Sequence, residues 1–358
     1  QLDDSRESVD ALLADTYQRF AQMWDQAAAT YQCAIIQNNF EQPIYRLLGN
    51  RDAYDFRGAV NFTARLNLMF AEYAQTHEGF YLNDLNWISA QYGLQQWHDS
   101  FYWHMYKYAM CVPAIPEFAF NVANIIKSLY GKNKKVLALD LDNTLWGGVV
   151  GDDGPEGIEI GMETSTGQTF LEFQRYVSQT KKLGIMLAVD SKNEEENALA
   201  GLNKPECALK PDDFIVIKAN WNPKDGNLRE IAQEINVGID SVVFVDDNPA
   251  ERAIIRGNVP EAAVPEVGEA QNFISVIDRA GFFEATNFSE DDLKRNEMYK
   301  ANVQRAQSQS QFDNYEDYLK SLEMTAVIAP FDASFESRIA QLTNKTNQFN
   351  LTTRRCSL

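Results

Sequence analysis

The sequence predicts an α/β protein whose central part is a parallel sheet with helices on both faces. From residue 136 onward, short β-rich apolar runs alternate with stretches of helical periodicity. Those runs are apolar on both faces, as expected for strands buried between two layers of helices. The region before this sheet is largely helical, and the region after it predicts an α+β extension.

Length, charge and cysteine usage limit the class of protein. At 358 residues the chain exceeds the size at which one core stops growing, so two or three units are expected. A formal net charge of −19 opposes binding to nucleic acid or to an anionic membrane surface. No apolar run reaches the ~18 residues of a membrane span. Four widely spaced cysteines, without a zinc motif, favour a cytoplasmic setting.

The chain begins at Gln1 rather than Met, which is expected of an excised or processed chain. Its first part, residues 1–133, predicts several helices and a few short strands. An apolar-periodic stretch covers residues 9–31, and a short strand at 33–36 is expected to stop at the polar residues 37–39. A dense set of aromatic residues is interpreted as core and interface packing rather than a stacking surface for ligands. This set is Trp87, Trp97, Phe101, Tyr102, Trp103, Tyr106 and Tyr108.

A polar linker at residues 131–135 separates this region from the sheet, and the expected boundaries are 1–133, 134–286 and 287–358. In the middle region we expect strands at 136–141, 185–189, 214–217 and 242–245, and helices at 170–183, 197–202 and 228–235. In the last region we expect helices at 290–311, 315–322 and 334–342 and a strand at 324–329.

Polar side chains stand at or just beyond the ends of the predicted strands, where open parallel sheets bind their ligands. Each of them alone has an ordinary explanation, such as a helix cap, a turn or a solvated lysine. Their occurrence together, in this order, favours a functional site. They are Asp140, Asp142, Asp190, Ser191, Lys224, Asp246 and Asp247.

These residue types suit magnesium-dependent phosphoryl chemistry. The carboxylate of Asp140 can attack phosphorus, and Asp142 can protonate the leaving oxygen and later activate water. Mg²⁺ prefers hard oxygen ligands, which Asp140, the backbone carbonyl of Asp142 and Asp246 could supply. Ser191 and Lys224 would hold the phosphoryl oxygens and neutralise developing charge.

The segment Leu139-Asp140-Leu141-Asp142-Asn143-Thr144, followed by Ser191, Lys224 and Asp246-Asp247, resembles the signature of the haloacid dehalogenase (HAD) superfamily. Longer motifs at 141–154, 191–193, 220–221 and 245–252, with the polar run 343–354, resemble its FkbH-like branch. The resemblance implies a Rossmann-like HAD core with metal ligands Asp140, Asp142, Asp246 and Asp247. It also implies an N-terminal region like an incomplete SGNH hydrolase fold, with a structural or docking role.

The FkbH-like resemblance further implies a reaction. Enzymes of that branch remove phosphate from 1,3-bisphosphoglycerate and load the glyceryl unit onto the phosphopantetheine thiol of an acyl carrier protein, in polyketide-type pathways. The implied partners are therefore a carrier protein and a phosphorylated small molecule. By the same resemblance, substrate binding is assigned to Thr144, Trp146, Gly147, Lys192, Asn193, Asn220 and Arg252.

Position 190 departs from that branch, because a cysteine is expected immediately before Ser191-Lys192-Asn193 and this chain has Asp190. A carboxylate cannot form the thioester of the transfer reaction. Three hypotheses stay open: a transferase impaired in acyl transfer, a HAD phosphatase with Asp140 as nucleophile, and a non-catalytic scaffold that docks a carrier protein. Asp190 is expected to perturb the pKa values of neighbouring carboxylates, or to cap a turn.

Overall fold

The computed structural model describes residues 2–286 and 295–309, together with Lys320, Thr325, Ile328 and Ile339 as single residues. The chain divides into two compact units, Gln1–Val303 and Gln304–Leu358. Except for the end of the last helix, the elements below belong to the first unit. The predicted elements at 315–322, 324–329 and 334–342, and the polar run 343–354, lie outside the described ranges.

The N-terminal region surrounds a small parallel sheet with helices. Helix α1 (Arg6–Tyr31) precedes strand β1 (Ile35–Asn38), and helix α2 (Ala59–Thr76) leads to strand β2 (Phe80–Asn83), which pairs in parallel with β1. Trp24, Phe70 and Phe80 lie at the centre of the core between them. The helices that follow are α3 (Leu85–Tyr92), α4 (Leu94–Trp97), α5 (Ser100–Tyr106) and α6 (Ile115–Leu129).

One prediction for this region is corrected and another is confirmed in part. Strand β1 does not stop before Gln37 and Asn38, because both side chains are hydrogen-bonded within the fold. Trp24 Nε1 donates to Gln37 Oε1 over 2.8 Å, and Asn83 Nδ2 donates to Asn38 Oδ1 over 2.8 Å. Core packing is confirmed for Trp97, whereas five of the other aromatic residues are exposed, so interface packing stays the prediction for them. These are Trp87, Phe101, Trp103, Tyr106 and Tyr108.

The central sheet has four parallel strands in the order β5-β4-β3-β6 within the described residues. Leu139 is in register with Val189 and with Val245, so the carboxyl ends of three strands lie side by side. Every residue of β3, β4 and β6 is buried, as predicted for strands covered on both faces. The strands are β3 (Val136–Leu139), β4 (Met186–Ser191), β5 (Val216–Ala219) and β6 (Val242–Val245).

Helices cover both faces of this sheet. Leu137 and Leu139 face one hydrophobic cluster, whereas Val136 and Ala138, which point the opposite way, face another. The helices of this region are α7 (Val150–Gly157), α8 (Ser165–Lys182), α9 (Glu195–Asn203), α10 (Lys224–Ile235), α11 (Pro249–Asn258), α12 (Phe273–Arg279) and α13 (Arg295–Gln309). Residues of α8 and α12 belong to the first cluster, and residues of α10 and α11 belong to the second. None of the helices in the described part of the chain is both long and apolar enough to cross a bilayer.

Strand ends differ from the prediction at two places that matter for the site. Strand β6 has the predicted limits, but β5 begins two residues late because Pro211–Asp213 form a short 3₁₀ helix. Strand β4 continues through Asp190 and Ser191, which pair in register with Lys218 and Ala219 of β5. The interpretation of Asp190 as a turn cap is therefore wrong, since its backbone belongs to the sheet.

Candidate active site

Three carboxylates meet at the carboxyl end of the central sheet. Asp140 directly follows β3, and Asp246 and Asp247 directly follow the neighbouring strand β6. One carboxylate oxygen from each lies within 4.8 Å of those of the other two. Asp140 and Asp246 are buried, and Asp247 is partly exposed. Hard oxygen atoms gathered in this way are the ligands that Mg²⁺ prefers in proteins, so the residues fit the predicted cofactor.

Lys224, the first residue of α10, reaches two of these carboxylates. Its Nζ lies 3.0 Å from Asp140 Oδ1 and 2.6 Å from Asp246 Oδ2, and its side chain is 3% exposed. Burial by itself lowers the pKa of Lys224, but the charges of Asp140 and Asp246 outweigh it and raise the pKa above its usual value. The ammonium therefore stays charged, and it compensates one of the three carboxylates.

Burial and the remaining negative charge raise the pKa values of Asp246 and Asp247. Burial, followed by repulsion from Asp140, raises the pKa of Asp246 to about 6 although Lys224 acts in the opposite direction. The same two causes raise the pKa of Asp247. Because a cation would relieve this repulsion, the charge balance also fits a divalent ion at the cluster.

Two residues for which the sequence predicts substrate binding, Arg252 and Thr144, form hydrogen bonds with the backbone of the loop after β6. Arg252 Nη1 donates to the backbone carbonyl oxygens of Asp246 and Asp247 over 2.8 and 2.7 Å. The backbone N–H of Asp247 donates to the Thr144 hydroxyl over 3.1 Å. Arg252 and Thr144 are both buried. The structure thus places both where they orient the loop that carries the two carboxylates; contact with a substrate stays a prediction.

Asp142 follows Asp140 by two residues, and both of its carboxylate oxygens are hydrogen-bonded. Its Oδ1 accepts from Trp146 Nε1 and from the backbone N–H of Val150, each over 2.9 Å. Its Oδ2 accepts from Asn193 Nδ2 over 2.7 Å. Among the described residues, the group suited to a metal contains Asp247 and not the Asp142 side chain. Trp146 and Asn193, also predicted to bind substrate, here orient Asp142.

The other predicted residues occupy different parts of the site's surroundings. Ser191 is buried, and its hydroxyl accepts from Asn193 Nδ2 over 3.3 Å. Gly147 is buried and exchanges backbone hydrogen bonds with Glu159, and a Cβ there would lie 3.1 Å from the Phe170 ring. Lys192 forms an ion pair with Glu251 over 2.6 Å. Of these, Ser191 lies in the network around Asp142, whereas Lys192 is engaged at the surface.

Asp190 is sealed inside the protein on the side of β4 that meets α10. Its side chain is 0% exposed, and its Oδ1 accepts from Asn227 Nδ2 over 3.1 Å. Its Oδ2 has no hydrogen-bond partner among the described residues. Burial raises the pKa of Asp190 to about 8, so this carboxyl group is largely protonated at neutral pH.

Asn227 joins Asp190 to the predicted residue Asn220, whose Oδ1 also accepts from Asn227 Nδ2, over 3.0 Å. Asn227 is not among the site residues predicted from the sequence. It follows Lys224 by three residues on α10, and side chains at that spacing share one face of a helix. That spacing is the feature from which its place beside the site could be predicted.

We expect the stability of Asp190→Asn, measured relative to that of the unaltered protein, to depend on pH. Its free energy of unfolding relative to the unaltered protein should be on the order of 3 kcal/mol higher at pH 8.5 than at pH 5. Since the folded-state pKa of Asp190 is raised from 3.8 to about 8, the folded protein retains a proton that the unfolded chain has lost. The stability of the unaltered protein therefore falls as the pH rises through this window. Asn cannot titrate, so the variant avoids that loss. Urea unfolding at both pH values measures the difference.

Asp15→Asn, at an exposed position on α1, is the matched control and should give equal changes at the two pH values. Equal stability differences for Asp190→Asn at pH 5 and pH 8.5 would contradict a buried, protonated carboxyl group at position 190.

Comparison with known proteins identifies a relative of known structure. No protein-family model and no curated protein matches the chain. A solved structure does: the crystal structure of the N-terminal part of the protein BF1531 from Bacteroides fragilis, containing a phosphatase domain complexed with Mg. Sequence identity is 34%, the TM-score is 0.75, and the match covers 80% of this chain and 75% of that chain.

The chain belongs to the BF1531 family. The fold of this family member is the predicted HAD-like α/β fold, and the predicted Mg²⁺ cofactor agrees with the ion in the BF1531 structure.

Proposed function

We propose that this member of the BF1531 family is a Mg²⁺-dependent phosphatase with Asp140 as its nucleophile. The observation that carries the proposal is the cluster of Asp140, Asp246 and Asp247 around Lys224, at the carboxyl end of a parallel sheet. The phosphatase domain and the Mg in the BF1531 structure support it. Asp140, Asp246 and Asp247 would hold the ion.

The residues divide the reaction between them. Mg²⁺ bound at the cluster would neutralise charge on the phosphoryl oxygens. The Asp140 carboxylate attacks phosphorus, the bond from phosphorus to the ester oxygen breaks, and an aspartyl phosphate forms. Asp142 gives a proton to the departing oxygen and then takes one from the water that attacks the aspartyl phosphate, which restores Asp140 and releases phosphate. Lys224 fixes the orientation of Asp140 through its ion pair.

Removal of the metal tests the proposal. We expect phosphate release from p-nitrophenyl phosphate in the presence of Mg²⁺, a fall of on the order of 10²-fold or more with EDTA, and recovery when excess Mg²⁺ is added. Release can be followed by the absorbance of p-nitrophenolate and by a phosphate assay. Failure to hydrolyse any phosphomonoester in the presence of Mg²⁺ would refute the phosphatase proposal.

Glyceryl transfer to an acyl carrier protein stays a second candidate, supported by the motifs at 141–154 and 245–252. Asp190 weighs against it. A carboxyl group in place of the expected cysteine cannot hold the acyl unit as a thioester, and a fully buried one cannot contact a carrier thiol. Incubation with Mg²⁺, 1,3-bisphosphoglycerate and holo carrier protein separates the two candidates. A glyceryl adduct in the intact mass of the carrier supports transfer, whereas free phosphate with an unchanged carrier supports the phosphatase.

A further inference from the structure

A cavity of about 820 Å³ opens beside the metal cluster. Asp247 belongs both to the cluster and to the wall of this cavity, and Asn143 and Gly148 from the loop after β3 line it as well. A phosphoryl group at the cluster would therefore place the alcohol part of its ester in this cavity. The volume lies within the range of small-molecule sites, which is roughly 300 to 1,000 Å³.

The wall of the cavity carries acidic groups without a basic one. Asp153, Glu159 and Glu269 line it in addition to Asp247, and no lysine or arginine of the described residues does. The Asp153 carboxylate accepts a hydrogen bond from the backbone N–H of Val149 over 2.8 Å. Glu159 and Glu269 are exposed and form no ion pair within the described part of the chain. A second anionic group on a substrate, placed in the cavity away from the ion held at Asp247, would meet repulsion from Asp153, Glu159 and Glu269 and no compensating lysine or arginine among the described residues.

The rest of the wall is suited to an uncharged hydroxylated molecule. Ser165, Thr166, Thr169 and Gln271 offer neutral groups that both donate and accept hydrogen bonds. Phe170 and Phe273 also line the cavity and, although buried, add an aromatic surface to the wall. Hydrogen-bonding side chains next to an aromatic surface match the alternation of hydroxyl and C–H groups on a sugar or related polyol.

We infer that the substrate is a phosphate monoester of a neutral or cationic polyhydroxy compound, such as a sugar or an amino sugar. The inference rests on the proposed phosphatase function and specifies its substrate class. The cavity excludes, by charge, substrates that carry a carboxylate or a second phosphate on the alcohol part. It thereby also disfavours a bisphosphorylated glycerate.

The test compares kcat/KM for four substrates with the full chain and Mg²⁺. Glucose 6-phosphate and glucosamine 6-phosphate represent the inferred class, and 3-phosphoglycerate and fructose 1,6-bisphosphate represent the excluded one. We expect the first pair to be preferred by on the order of tenfold or more. We also expect the double variant Glu159→Lys/Glu269→Lys to lower that preference by a similar factor, because it replaces two repulsive charges by attractive ones.

Glu261→Lys is the matched control, since Glu261 is exposed and does not line the cavity, and its preference should equal that of the unaltered protein. If the double variant does not fold, Glu159→Gln should still lower the preference, by a smaller factor. Equal or greater activity on the anionic pair, or a preference that the variants do not change, would overturn the substrate class. In either case hydrolysis of p-nitrophenyl phosphate leaves the phosphatase proposal standing; absence of all hydrolysis refutes both.

Discussion

Asp140→Asn is expected to lower the rate of Mg²⁺-dependent phosphate release by on the order of 10³-fold or more. The amide removes the attacking carboxylate and also one of the three negatively charged ligands of the cluster. Asn has nearly the same size as Asp, and its amide oxygen can still accept a hydrogen bond from Lys224 Nζ, which lies 3.0 Å from Asp140 Oδ1. The loss should therefore be chemical rather than structural. Phosphate release under single-turnover and steady-state conditions measures it.

Asp213→Asn is a suitable control for that variant. Asp213 forms an ion pair with Lys181 over 2.7 Å and lies before β5, on the amino side of the sheet and away from the cluster. Its replacement should leave phosphate release unchanged. Circular dichroism spectra and thermal unfolding curves should show that both variants are folded. Phosphate release by Asp140→Asn at the rate of the control would remove Asp140 from the mechanism.

Lys224→Met is expected to have a large effect on stability as well as on activity. Met fills a similar volume but leaves Asp140 and Asp246 as uncompensated buried carboxylates, which typically costs about 3 to 5 kcal/mol when a buried ion pair loses one partner. Phosphate release should fall by on the order of 10²-fold or more, since Asp140 loses its orienting partner. Urea unfolding and phosphate release measure the two effects.

The variant Lys181→Met is the control that shows whether the loss of stability is specific to Lys224 or follows from replacing any paired lysine. Lys181 is 29% exposed and pairs with Asp213, which is 25% exposed, so its removal should cost less than about 1 kcal/mol. Addition of Mg²⁺ should stabilise Lys224→Met more than the unaltered protein, because the ion then compensates the charge that Lys224 no longer balances. Equal stability of the two lysine variants without Mg²⁺ would contradict the role assigned to Lys224.

Much of the site was predictable because register in a parallel sheet is simple. Asp140 and Asp246 each follow a short apolar run that predicts a buried strand, and the carboxyl ends of parallel strands lie at one edge of the sheet. The pairing of Lys224 with both carboxylates follows from its place at the start of a helix next to the same edge. These positions depend on local pattern and topology, both of which the sequence carries.

The hydrogen-bond partners of individual side chains were less predictable, because they depend on which residues the folded structure brings into contact. Nothing in the local sequence indicates that Asp142 accepts from Trp146, Val150 and Asn193, the last of which is 51 positions away. The burial of Asp190 required β4 to continue two residues beyond its apolar run. For this reason the sequence predicts which residues gather at the site, but not which hydrogen bonds each of them makes.

The two hydrogen bonds from Arg252 to the loop after β6 have a consequence for how an ion would bind. They fix the backbone from which Asp246 and Asp247 project, so these ligands are already oriented before any cation arrives. The conformational entropy lost in arranging them belongs to the folding of the chain and not to the binding event. An ion can therefore be captured with little rearrangement of the protein, as expected for a preorganised centre.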